Sequence, residues 1–257
     1  MLEIRGLNKQ FGGLAATSDL DMDVRDQEIL GVIGPNGAGK STLFNMISGY
    51  YPPTAGSILF QGERIDGLRA DQVARRGVGR TYQAATLFGD ETVFDNVVAG
   101  LHMHYRQPGW KAFLHLRGVR NEQEEFSSRA DELLRSMGID SWAQELAHNL
   151  PYGYQKVLGI CIALASGPKL LLLDEPLTGM NATEKQGMVE KIRALRDSGI
   201  TIMLVEHDMK SVMGVCDRLV VLNYGRKIAE GRPDEIRENP EVVKAYLGNP
   251  RARKHAV

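Results

Sequence analysis

The 257-residue sequence predicts an α/β fold: a mainly parallel sheet with antiparallel N-terminal strands, and a helical section of about 90 to 165 inserted into it. Three observations carry that prediction. First, "ILGVIG" (29 to 34), "LLLLD" (170 to 174) and "ITIMLVE" (200 to 206) are short apolar runs, as strands buried on both faces require. Second, the last two runs flank "NATEKQGMVEKIRALRDSG", with Met188, Ile192 and Leu195 on one helical face, Asn181 placed to cap the start and Gly199 past the end. Strand, crossover helix, strand is the βαβ unit of a parallel sheet. Third, residues 90 to 165 keep helical spacing without a strand-like run.

In chain order, "LEIRGL" and "DLDMDV" alternate apolar and polar residues and predict two half-buried strands. Asp19, Asp21 and Asp23 are assigned to the wet face of the second strand. A calcium loop starting at Asp19 needs Gly at position 24 and Glu at position 30, where Val and Leu stand. After the buried strand at 29 to 34, "STLFNMIS" (41 to 48) predicts a helix. Within the helical section, Phe94, Val97, Val98 and Leu101 share one face, as do Phe126, Ala130, Leu133 and Met137. Between these faces, a Pro-Gly-Trp break at 108 to 110 followed by "KAFLHL" is read as a loop or short helix that packs locally or offers an apolar contact to a partner.

Composition narrows the function classes. With 43% hydrophobic and 25% charged residues, the chain matches ordinary globular proteins. A net charge of −1 supplies no global field for nucleic acid, and the basic residues Arg251, Arg253 and Lys254 read as a frayed, solvated end. Cys161 and Cys216 lie too far apart in sequence for a CxxC redox pair or a zinc knuckle, which fits a reducing compartment. The longest uncharged run, Ser41 to Gly62, contains Pro52-Pro53 and is no membrane span of ~20 apolar residues. "MLEIRGL" has no secretory apolar region, so a membrane role is expected to be peripheral.

The chemistry concentrates in two places. "GPNGAGKST" (Gly34, Pro35, Asn36, Gly37, Ala38, Gly39, Lys40, Ser41, Thr42) fits G-x-x-x-x-G-K-[ST] between a buried strand and a helix, the phosphate loop of P-loop NTPases. Glycines let consecutive N–H groups turn toward phosphate oxygens, and the helix N-terminus adds partial positive charge. Lys40 supplies a point charge there, and the Ser41 hydroxyl is placed to ligate Mg²⁺. In "LLLLDEP", Asp174 closes a buried strand and can hold Mg²⁺ through water. Its neighbour Glu175 can accept a proton from an attacking water. His102 and His104 form an H-x-H without a third ligand, and no metal site is expected there.

The ordered set of phosphate loop, Gln83 in "RTYQ", residues 149 to 156, "LLLLDEP", "TGMN" and "VEHDM" resembles the nucleotide-binding subunits of ABC transporters over nearly the whole chain. That resemblance implies a single ABC-type ATPase domain over residues 1 to 257, using ATP and Mg²⁺. It further implies that Phe11 stacks on adenine, that Gln83 senses Mg²⁺ and links the site to the helical subdomain, and that Glu175 is the catalytic base. His207 would contact the γ-phosphate and help orient the water. "RTYQAATLFGDETVFDNVVAG", "VEHDMKSVMGVCDRLVVLNYGRKIAEG" and "ENPEVVKAYLG" look most like the ATPase of branched-chain amino-acid uptake, with the lipopolysaccharide-export ATPase as nearest competitor. The implied partners are two transmembrane permease subunits, a second ATPase and, indirectly, a solute-binding protein. The implied place is the cytoplasmic face of the inner membrane. Other classes considered are soluble ABC proteins of repair or translation, which generally carry long coiled coils or tandem domains, and a regulatory nucleotide-binding module that does not turn over.

One segment departs from the family. Most ABC ATPases read L-S-G-G-Q where this chain has Leu150, Pro151, Tyr152, Gly153 and Tyr154, followed by Gln155. The Ser hydroxyl and glycine N–H groups of that signature bind the γ-phosphate held by the other subunit. Pro151 has neither hydroxyl nor N–H, while Gly153 and the following helix start still offer donors. Loss of one fully engaged donor costs about 2.7–4 kcal/mol in the transition state. Either the N–H groups of Tyr152 and Gly153 suffice, or a different ATPase supplies an intact signature. The second case is expected, with feeble hydrolysis by the chain alone.

Overall fold

The computed structural model describes residues 1–81, 87–101 and 117–247, with side chains in the last segment from 124 to 246. Strand β1 (Leu2–Phe11) pairs antiparallel with β2 (Leu14–Val24) and with β4 (Ala55–Phe60), which also pairs with the short β5 (Glu63–Arg64). The first two strands run past the stretches whose alternation predicts them, because the antiparallel ladder continues to Phe11↔Leu14 at the Gly12-Gly13 turn. Leu20, Met22 and Val24 are buried, whereas Asp19 and Asp21 are exposed and Asp23 is half-buried, the division that alternation dictates.

The second sheet has the order β10-β9-β3-β8-β7-β6. Its strands are β3 (Ile29–Ile33), β6 (Val78–Arg80), β7 (Leu170–Asp174), β8 (Thr201–Glu206), β9 (Arg218–Asn223) and β10 (Arg226–Gly231). Every pairing is parallel except that of β10 with β9. All three predicted apolar runs are central strands of this sheet. Leu30, Val32, Leu172, Met203 and Val205 point to a core shared with the antiparallel sheet and helix α1 (Lys40–Ile47). Ile29, Ile33, Leu171, Leu173, Ile202 and Leu204 point to the opposite core.

Two short elements, α2 (Ala70–Arg75) and β6, follow β5. Helices α3 (Val93–Leu101), α4 (Arg117–Ser136) and α5 (Tyr152–Ala165) then lie between β6 and β7 in the chain. Val97, Leu101, Phe126, Ala130, Leu158 and Ile160 join these helices to the second core. Among the described residues, the only strand pairing there is an isolated bridge, Thr92↔Leu146. The H-x-H pair, the 108–116 stretch and the basic residues at 251–254 fall outside the described residues.

Between β7 and β8 runs α6 (Ala182–Asp197). Asn181 caps it as predicted, accepting from the Glu184 N–H, and Gly199 at φ 102° ends it. Three more helices follow: α7 (Met209–Met213), α8 (Pro233–Glu238) and α9 (Pro240–Leu247). Both cysteines are buried, and burial pushes the Cys161 thiol up to about 12. No helix among the described residues is long and apolar enough to cross a membrane.

Candidate functional site

Register places the chemistry at one end of the parallel strands. Ile33 of β3 pairs with Glu206 of β8, and Asp174 of β7 pairs with Val205, so Gly34, Glu175 and His207 all leave the sheet at the same carboxyl edge. The loop after β3 turns at Pro35, whose carbonyl accepts from the Ala38 N–H at 3.1 Å, and enters α1 at Lys40. Two glycines make the turn possible. A Cβ on Gly34 would lie 2.1 Å from the Leu222 carbonyl, and one on Gly39 would lie 2.6 Å from the Ala16 carbonyl. Both backbones have positive φ, 153° and 102°.

Lys40 is buried, and its ammonium donates to the Gly34 carbonyl at 2.7 Å and the Pro35 carbonyl at 3.1 Å, so the side chain folds over its own loop. Burial pushes it below the ordinary lysine value, while Glu175, Asp174 and Glu206 pull the other way. The lysine therefore sits in the field of the acids that end β7 and β8. Asn36, Gly37 and Ser41 are exposed, Pro35, Gly39 and Thr42 half-buried and Ala38 buried. A glycine-formed turn, a lysine folded onto it and a helix start fit a nucleotide's phosphates, and Ser41 with Asp174 supplies the oxygen donors that a hard cation such as Mg²⁺ takes.

Glu175 has a left-handed backbone, φ 49°, its N–H donating to the Val205 carbonyl at 3.0 Å. Its Oε1 lies 3.6 Å from His207 Nδ1, and both side chains are partly exposed. Glu206 is buried behind them, accepting from the Leu177 N–H at 2.8 Å and the Thr178 hydroxyl at 3.1 Å. Burial pushes its carboxyl above the ordinary range. The base and the histidine named from sequence are thus brought together beside Lys40.

Phe11 sits at the tip of the β1–β2 hairpin, 46% exposed, its ring edge-on to Tyr51 with centroids 5.3 Å apart. The same hairpin reaches the phosphate loop through Ala16, the residue that crowds Gly39. Gln83 lies outside the described residues.

Pro151 precedes α5, and its carbonyl accepts from Tyr154 and Gln155. Leu150 and Gly153 are buried, while Tyr152 and Tyr154 are exposed and the Gln155 amide donates to the Leu150 carbonyl. The first-turn N–H groups of Tyr152 and Gly153 have no intrahelical acceptor by helix geometry, leaving them as donors.

Two basic residues escape sequence reasoning. Arg80, at the end of β6, donates to Asp174 Oδ2 at 3.2 Å, to Asn45 Oδ1 at 2.7 Å and to Ser48 Oγ at 2.8 Å. Lys156 donates to the backbone carbonyl of Glu175. The signals were a charge closing the short "VGR" run and a lysine opening an apolar helix.

Comparisons with known proteins show the family to which this chain belongs. Residues 17–178 match the ABC transporter family model, and residues 226–252 match that of branched-chain amino acid ATP-binding cassette transporters. The chain is 41% identical to the high-affinity branched-chain amino acid transport ATP-binding protein LivG of Escherichia coli K12, covering 96% of this chain and 98% of the relative. It is 39% identical to BraF of Pseudomonas aeruginosa, described in the same terms, with the same coverages. Identity to the lipopolysaccharide export ATP-binding protein LptB of E. coli K12 is 33%, over 96% of this chain and 97% of that one. A nucleotide-free ATP-binding cassette of an ABC transporter superposes with a TM-score of 0.87 at 27% identity, covering 97% and 99% of the two chains. An ADP-bound cassette gives 0.86 at 27%, with the same coverages. The chain belongs to the ATPase subunits of ABC transporters, in the group that resembles the branched-chain amino-acid transport proteins.

Proposed function

We propose that this subunit is the ATP-hydrolysing motor of an importer for branched-chain or similar apolar amino acids. It works from the cytoplasmic face of the inner membrane with two permease subunits and, indirectly, a solute-binding protein. The observation that carries the motor reading is the 3.6 Å approach of Glu175 Oε1 and His207 Nδ1 beside the buried Lys40. The narrower solute reading rests on the match of residues 226–252 and on the relatives' names.

In this mechanism the loop N–H groups and Lys40 hold the β- and γ-phosphates of ATP, and Phe11 covers the adenine. Ser41 and Asp174 would hold Mg²⁺, which would supply positive charge to the phosphate oxygens, and Gln83 would sense it. Glu175 accepts the proton of the attacking water as the water oxygen bonds to the γ-phosphorus and the bond to the bridging oxygen breaks, releasing ADP and phosphate, while His207 orients that water. Closure needs a second subunit, whose signature loop completes the site. Pro151 is the motive for a heterodimer: this chain's Leu150–Gln155 segment acts on the partner's ATP with fewer donors, and the partner completes the site of this chain.

Reconstitution tests the proposal. Vesicles carrying this chain, the second ATPase, the permeases and the binding protein should accumulate labelled leucine, isoleucine or valine only with ATP. Brisk hydrolysis without uptake of any of the three would overturn the solute assignment. A homodimer of this chain hydrolysing as fast as the full complex would overturn the heterodimer.

A further inference from the structure

The N-terminus of α5 and the residue after Asp174 are joined within one subunit. One turn into α5, Lys156 donates its ammonium to the Glu175 carbonyl, and its Nζ lies 5.4 Å from the centre of the Tyr152 ring. That ring packs on the loop after β7 so closely that a Cβ on Gly179 would stand 2.7 Å from Tyr152 Cε1. Glu175 itself is in the left-handed region at φ 49°, a conformation that persists in a non-glycine residue only when its surroundings over-determine it. Its N–H is held by Val205 of β8, so the carbonyl-side contact completes a grip on both ends of the residue.

We propose that Lys156 is a positioning residue for catalysis: it fixes the Glu175 peptide in its left-handed conformation, aims the carboxylate and ties the signature helix to the base of the same subunit. The loop that acts on the partner's ATP and the base that acts on this subunit's own ATP then move as one body. Burial lowers the Lys156 ammonium, and Glu206, Glu175 and Asp174 pull it back, as expected of a cation placed among the acids of the site. Hydrophobic truncation at this position would leave the carbonyl without its charged donor, with only the long 3.4 Å bond from the Thr178 N–H on that side of the peptide.

The inference rests on Glu175 being the base, and the two can fail separately. Single-turnover phosphate release by the full-length chain with Mg·ATP is compared for parent, Lys156→Met, Lys156→Arg and Glu175→Gln, with Lys40→Ala as the blank. Lys156→Met should lower the hydrolysis rate about tenfold or more while the ATP concentration at half-maximal rate stays within about twofold. Lys156→Arg should restore most of the rate. Amide exchange should rise at Glu175 to Thr178 in Lys156→Met and stay unchanged in β3. A Lys156→Met rate within twofold of the parent, a loss that Arg does not restore, or unchanged exchange at Glu175 to Thr178 overturns the proposal. Parent-like turnover by Glu175→Gln instead overturns the assignment of the base. If Lys156→Met does not fold, the same exchange comparison on Lys156→Gln decides.

Discussion

The guanidinium of Arg80 lies 3.2 Å from the carboxylate of Asp174, and both side chains are almost wholly buried. The same guanidinium holds Asn45 and Ser48, so one residue ties the end of β7 to the helix that begins at the phosphate loop. Arg80→Met leaves Asp174 as a buried charge without this partner, and breaking such a pair costs about 3–5 kcal/mol. Urea unfolding should show a loss in that range, with a smaller loss for Arg80→Lys. A variant within 1 kcal/mol of the parent would show that Asp174 is supported by other groups.

Pro151→Ser returns a hydroxyl and an N–H to the start of α5. Since one engaged donor is worth about 2.7–4 kcal/mol in a transition state, even partial engagement should raise hydrolysis by the purified chain at least about tenfold. Steady-state phosphate release measures it. An unchanged rate would mean that the Tyr152 and Gly153 N–H groups already serve the site.

Glu206 gives a pH prediction with a definite sign. Its folded-state carboxyl is raised above the unfolded value of an ordinary glutamate, chiefly by burial. The native state therefore binds more protons than the unfolded one, and this group's contribution to stability is lost as pH rises through the folded value. Glu206→Gln cannot titrate, so its melting temperature should gain on the parent's between pH 5 and pH 8. A difference that stays flat or moves the other way would contradict the shift.

Strands β3, β7 and β8 and the crossover helix were legible because burial on both faces imposes an apolar run and because Asn181 and Gly199 carry their own local chemistry, whereas β9, buried as deeply inside the same sheet, was not read as a strand. Strand β6 was not legible, being three residues that gain meaning only from pairing with β7. Neither was β10, an edge strand of mostly exposed or half-buried residues. At the site, Lys40, Asp174, Glu175 and His207 stand in local motifs. Arg80 and Lys156 act on partners 94 and 19 positions away, and nothing in their immediate neighbours encodes those contacts.

The central claim is that this chain turns over ATP with Glu175 as its base. Glu175→Gln, assayed for phosphate release and for ATP-dependent dimer formation by size-exclusion chromatography with the second ATPase present, tests it most directly. The expected outcome is loss of this subunit's hydrolysis together with a dimer that ATP holds closed. A variant that hydrolyses at the parent's rate, or binds ATP without gaining a dimer, would contradict it.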